Sequence, residues 1–165
     1  MLLTQSGVRF ICRKEAMVHA AYPDDPGYSI GFGHHGAKVN DVISLDDAKS
    51  LVLRDLEDRA TIVRHWLTGP YKPNELDALT SAYANAGTKV LAVCYLINNG
   101  LVDEALVLLR KFSYKGGEKN QGLARRREQE INIYLNNDYG DINAFREYDV
   151  SGGPFQLTEF ADWPP

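Results

Sequence analysis

The stretch SLDDAKSLVLRDLEDRATIVRHWL, residues 44–67, constrains the fold of this chain more than any other. Leu45, Ala48, Leu51, Val52, Leu56, Ile62, Val63 and Leu67 recur at helical spacing and write an apolar stripe along an otherwise charged rod. Ser44 is a good N-cap with Asp47 three residues on, and Gly69-Pro70 stops the helix. A helix of about 23 residues is roughly 35 Å long, enough to bridge two lobes. In a chain of 165 residues such a rod points to one domain, with two lobes sharing the helix.

Beyond the rod, the second half of the chain reads as helical. Asn74–Ala86 ends at Gly87, Lys89–Asn98 ends at Gly100, and Val102–Phe112 comes third. Gln121–Asn136 is entered through the loop KGGEKNQG. Short helices with short connections make a small bundle. Ahead of the rod, Leu3–Lys14 is a short helix with Val8, Ile11 and Cys12 on one side. Residues 22–36 differ, because Pro23, Asp24, Asp25, Pro26 and Gly27 forbid a helix and Ser29-Ile30-Gly31-Phe32-Gly33 reads as a strand. Ile30 and Phe32 share one face of it. Gly31 and Gly33 leave the other face bare, which suits close approach by a ligand or another backbone. The tail from 137 has no clean periodicity, but Phe145, Phe155, Phe160 and Trp163 predict that it packs back on the body. The expected class is α+β and mostly helical.

Composition narrows the functions. An apolar content of 44% with 24% charged residues is ordinary for a globular chain. No apolar run is long enough to span a bilayer, so no stable membrane association is expected. The opening MLLTQSGVRFICRKE is too short and mixed for a signal peptide. A net charge of −4 argues against nucleic acid as a partner. Arg110, Lys111, Lys115, Lys119, Arg125, Arg126 and Arg127 form a local basic run, expected to be a solvated face with helix pairing to Glu128 and Glu130. Cys12 and Cys94 fit no CxxC or metal spacing. Two packed thiols are the simplest reading, with a disulfide between them left open.

The chemistry lies in EAMVHAAYPDDPGYSIGFGHHG, residues 15–36. Glu15 ends a helix and Asp24 sits in a turn nine residues later, so a chain reversal can set the two carboxylates across a gap. Paired acids are the recurring apparatus of glycosidic hydrolysis: one donates a proton, the other orients or deprotonates a water. The acid must hold its proton at neutral pH, which asks for partial burial beside Tyr22 and Phe32. Ser29, on the returning strand, can hold the same water. Taken alone the pair is a weak signal, and a helix-terminal acid with an Asx-turn aspartate is the simpler account of these residues. A metal site from His19, His34, His35 and Asp25 is disfavoured, because adjacent His34 and His35 point to opposite faces of a strand and no HExxH occurs. No GxSxG elbow is present either.

Three blocks decide between these readings. Tyr22, Asp24 and Gly27 follow Glu15 at seven, nine and twelve residues, and SIGFGH follows them. LDALTSAYANAGTKVL carries Asn85 and Gly87, and GGEKNQGLARRREQE carries Gly122, Leu123, Arg126, Arg127 and Glu130. In order, over about residues 8–136, these resemble the motifs of the phage-type lysozyme (endolysin muramidase) family. The resemblance implies a small hairpin-bearing lobe at about 15–43, a linking helix at 44–67, a helical lobe at 71–136 and a tail at 137–165 packed back. It implies hydrolysis of the β-1,4 bond between N-acetylmuramic acid and N-acetylglucosamine. Glu15 would be the general acid, Asp24 the residue acting on water, and Ser29 the stand-in for the family threonine. Tyr22, Gly31, Phe32, Gly33, His34 and Asn85 would contact the sugars. No metal or cofactor is implied.

The chain departs from the family pattern at several points. Serine lacks the threonine methyl, one residue is missing between Gly27 and Ser29, and Asp25 is a rival for the Asp24 role. Ala16 replaces a glycine after the acid, a change a helix tolerates. The expected partner is bacterial peptidoglycan, and a monomer is expected. The setting implied is a phage lysis protein that accumulates in the host cytoplasm and is released by a holin, with a virion-borne enzyme as the other option. Two further readings are a non-catalytic wall-binding or virion module and a lytic transglycosylase.

Overall fold

The computed structural model describes residues 1–150 and 153–164. Ser151, Gly152 and Pro165 of the tail lie outside the described residues, as does the side chain of Lys115 from the basic run. Helices and strands run in the order α1 (Gln5–Glu15), β1 (Met17–Pro23), β2 (Tyr28–Gly31), β3 (His34–His35), α2 (Leu45–Trp66), α3 (Pro73–Ala86), α4 (Val90–Asn98), α5 (Val102–Lys111), β4 (Tyr114–Lys115), β5 (Glu118–Lys119), α6 (Gln121–Asn136), β6 (Ala144–Tyr148) and β7 (Gln156–Glu159). The chain divides into two units, Met1–Gly7 with Glu57–Gly140, and Val8–Leu56 with Asp141–Pro165. The division falls inside α1 and inside α2.

Helix α2 starts as the sequence requires. Ser44 accepts a hydrogen bond from the Asp47 amide at 3.1 Å and donates its own proton to the Asp47 carboxylate at 2.7 Å. In the first unit α3 packs on α6, around a core that includes Leu76, Leu79, Val93, Cys94, Leu109 and Ile133. Asn74, at the start of α3, donates to the Ile133 and Tyr134 carbonyls in the last turn of α6 at 2.8 and 3.0 Å, the Ile133 carbonyl also accepting from the Asn137 amide. The loop expected before α6 contains a hairpin, β4–β5, turning on Gly116 and Gly117. Both have positive φ, 62° and 86°, the conformation of a tight two-residue turn that glycine adopts without steric cost.

The second unit holds a five-stranded sheet in the order β3-β2-β1-β6-β7. Strand β1 is central, antiparallel to β2 and parallel to β6, with Met17 opposite Glu147 and Val18 opposite Tyr148. The tail therefore does more than lie on the body: it adds two strands to the sheet. Phe145 packs at 4.9 Å from Phe160 and edge-on to Phe32 at 5.1 Å, and Trp163 stacks on Phe160 at 5.9 Å. Arg9 ties the tail end down through the carbonyls of Trp163 and Ala161. His19 on β1 spans the Ile43 carbonyl and the Glu147 carboxylate on β6, each at 2.7 Å, while Thr158 and Gln156 of β7 donate to the other Glu147 oxygen.

Candidate active site

Glu15 is the last residue of α1, and the backbone after it sets its direction. Ala16 has φ 62°, is buried, and donates its amide to the Cys12 carbonyl at 3.0 Å. Contrary to the expectation that Ala16 continues a helix, it ends one. The left-handed conformation costs an L-residue about 1–2 kcal/mol, which explains why glycine suits this position better. The chain then leaves directly into β1. Glu15 is half-buried. A methyl built on Gly33, whose φ is +80°, would stand 3.7 Å from Glu15 Oε2, so the bare glycine lies beside the acid.

Strand β1 runs to the second carboxylate. The four-residue turn Asp24–Gly27 closes with the Asp24 amide donating to the Gly27 carbonyl at 2.9 Å, and Pro23 pairs with Tyr28 beyond it. The next pair is Tyr22 with Ser29. Ser29 is fully buried, and its hydroxyl donates to Asp24 Oδ2 at 2.6 Å. The shortened turn thus keeps the hydroxyl on Asp24, rather than on its rival Asp25. The Asp24 side chain remains 54% exposed.

Tyr22 is half-buried and pairs with Ser29 across the strands. Burial pushes its phenol above the usual tyrosine range, and the Asp24 and Glu15 carboxylates push it further, against the opposing effect of Ser29. Both acids therefore act electrostatically on one ring. The three histidines of this region go separate ways. His34 meets Asp55 at 2.8 Å, His19 is engaged by Ile43 and Glu147, and His35 stands 3.5 Å from Ser29 Oγ and 3.9 Å from Asp24 Oδ2. Adjacent His34 and His35 thus face opposite ways, as strand alternation requires. Among the described residues no group of three or more His, Cys, Asp or Glu side chains could hold a metal ion.

Two residues expected at the sugars, Phe32 and Gly31, are buried instead. Phe32 is buried against Phe145 and Trp163, so it belongs to the aromatic core. Gly31 is buried too, and a methyl there would meet Ala48 Cβ at 3.3 Å; its smallness serves the approach of α2 rather than a ligand. Asn85, in the helical unit, accepts a hydrogen bond from Arg127 at 3.1 Å. The pairing of Arg110 with Glu128 is at the surface as expected, but Arg126 and Arg127 are not a solvated face. Both are buried on Glu130, at 3.2 and 2.8 Å, where Ser81 also donates to the carboxylate at 2.7 Å. Burial pushes Glu130 upward, and Arg127, Arg126 and Ser81 oppose that shift. The arginines at i−3 and i−4 from Glu130 were the available sequence signal; their burial was not. Cys12 and Cys94 are both buried free thiols.

Residues 13–130 match the phage lysozyme family, and the chain belongs to that family. The endolysin of Bacillus phage B103 is 30% identical over 151 residues, which are 87% of this chain and 57% of that protein. The chain thus spans a little over half the length of the curated relatives it matches. Among solved structures, an endolysin from Escherichia coli O157:H7 phage FAHEc1 superposes with a TM-score of 0.74 at 27% identity, covering 86% of this chain and 98% of that one. The muramidase domain of SpmX from Asticaccaulis excentricus gives 0.73 at 27% identity, covering 81% and 97%. The α+β class expected from the sequence is the one observed.

Proposed function

We propose that this chain is a muramidase, a glycoside hydrolase that cleaves the β-1,4 bond between N-acetylmuramic acid and N-acetylglucosamine in bacterial peptidoglycan. The observation that carries this reading is the Ser29 hydroxyl fixed on Asp24 at 2.6 Å, in the same unit as Glu15, which is half-buried beside the bare Gly33. Glu15, half-buried at the end of α1, is the proton donor to the bridging oxygen as the C–O bond breaks. Positive charge develops at the anomeric carbon, and a water held by Asp24 and Ser29 adds to it while its proton passes to Asp24. Gly33 leaves space beside Glu15 for a sugar ring, and Tyr22 walls the gap between the acids. The reaction needs no cofactor.

The endolysin relatives imply action on the host cell wall. No described helix is long and apolar enough to cross a membrane. We read the chain as a monomer that accumulates in the host cytoplasm and reaches the wall through a holin-made lesion; its recovery from purified virions would replace that route with a virion-borne one. The shortened turn and Ser29 are the features that favour a non-catalytic wall-binding or virion structural module; the contact of Ser29 with Asp24 at 2.6 Å speaks for the hydrolase instead. Asp24 also favours hydrolysis over the lytic transglycosylase reaction, which typically dispenses with a second carboxylate.

Glu15→Gln tests the assignment. It should lower the rate of clearing of purified cell walls by about 10²–10⁴-fold, the usual contribution of a general acid, with the thermal transition unchanged. Clearing at the parental rate would remove Glu15 from the role. Released sugars one water heavier than an anhydro product identify hydrolysis.

A further inference from the structure

His35 lies outside the family motif, which ends at His34, yet it stands nearer to the water-handling pair than any other histidine of this segment. The sheet register explains why. Tyr22 pairs with Ser29, and Ser29 pairs with His35, so the three side chains form one row on one face of β1, β2 and β3. Asp24 sits above the row, 3.9 Å from His35 Nδ1. The ring rests against the turn, with Cε1 3.5 Å from where a methyl on Gly27 would be.

The serine has a weakness that the histidine can mend. A threonine at this position would have its hydroxyl restricted by the branch methyl, whereas serine keeps more than one rotamer accessible. The Ser29 hydroxyl has one proton, given to Asp24, and lone pairs that still accept. His35 Nδ1, at 3.5 Å, faces that acceptor. Such contacts are commonly long until substrate is bound.

Resting on the muramidase reading, we propose that His35 is a positioning residue that holds the Ser29 hydroxyl on Asp24, supplying the constraint that the missing methyl would give. The imidazole donates from Nδ1 to Ser29 Oγ, Ser29 donates to Asp24 Oδ2, and the free Asp24 oxygen is left aimed at the attacking water. His35 touches no reacting atom. Its effect passes through Ser29.

The test is the rate of sugar release from soluble peptidoglycan glycan fragments, with kcat and KM separated. His35→Ala should lower kcat about tenfold, the size of one such hydrogen bond, with KM within about twofold. His35→Asn, whose amide reaches the Nδ1 position, should restore most of the rate. His35→Gln, whose amide reaches only toward Nε2, should not. His35 is 51% exposed at its side chain, so these variants are expected to fold. In a Ser29→Thr background the same alanine change should cost about twofold or less, because the methyl then does the positioning. Parental kcat in His35→Ala, equal behaviour of the asparagine and glutamine variants, or the same loss in a folded threonine background would each overturn the proposal. If the parent chain itself releases no sugar, the muramidase reading falls and takes this one with it; release by the parent with no effect of His35 overturns only this one.

Discussion

Two carboxylates, one in each unit, show opposite ways to treat a negative charge. Glu130 in the helical unit is fully buried and closed in by Arg126, Arg127 and Ser81. Asp24 in the sheet unit has one buried hydroxyl as its close partner and more than half of its side chain in solvent. A buried charge must be compensated on all sides, since its desolvation costs several kcal/mol. A carboxylate that must receive a proton from water needs an unfilled side. Glu130 is thus suited to holding helices together and unsuited to chemistry, and Asp24 the reverse.

The largest expected effect breaks the sealed site. Glu130→Ala leaves two buried guanidinium groups without their counter-charge and should cost about 3–5 kcal/mol in urea denaturation. Next comes Gly7→Ala. Asp77, another sealed carboxylate of the helical unit, accepts from the Thr4 amide and hydroxyl and from Tyr139, and a methyl on Gly7 would stand 2.3 Å from its Cγ. That overpacking should cost about 1–3 kcal/mol, read as a lowered midpoint with an unchanged slope. Ser29→Ala should do the converse. It should lower kcat by about tenfold while changing stability by less than about 1.5 kcal/mol. A stability loss as large as that of Glu130→Ala would erase the contrast.

The smallest effect sharpens the comparison, because Glu147 is a sealed carboxylate inside the sheet unit. Burial would raise it, but Thr158, His19 and Gln156 together hold it below its usual 4.5. Burial likewise opposes the charge on His19, and Glu147, the Ile43 carbonyl and Asp149 lift it above 6.5. The His19 contribution is complete below its unfolded value near 6.5 and is lost as pH rises through the raised one. The Glu147 contribution is present above about 4.5 and is lost as pH falls through the lowered one. The pair therefore steadies the sheet most between about pH 4.5 and 6.5. Melting temperatures of the parent and of Glu147→Gln across pH 4–9 should differ most in that window, and the difference should narrow above it as His19 loses its proton, while the Thr158 and Gln156 part remains.

The helices from α2 onward were legible because their reasons are local. Ser44 with Asp47, the stripe from Leu45 onward and the glycines at 87 and 100 all act within a few residues, and α6 begins and ends where its pattern says. Strands β1, β6 and β7 were not legible. Met17 finds its partner at Glu147, 130 positions along the chain, and MVHAAY has no alternation that declares a central strand. The site was partly legible. The spacing from Glu15 to Asp24 and Ser29 pointed to the acids only through its resemblance to the family motif. The burial of Phe32 against Phe145 and Trp163 was hidden, because those aromatics belong to a tail with no readable period.

The sequence by itself determined the class, the rod-like helix, the helical half and the candidate pair of acids, since periodicity, capping and residue spacing express themselves over short stretches. Only the tertiary structure decided that the tail completes the sheet, that Arg126 and Arg127 are interior, that Ala16 is left-handed and that His35 stands beside Ser29. Each of these depends on which distant segment supplies the neighbour. Burial, register and backbone strain are properties of that pairing, and no local window of residues contains it.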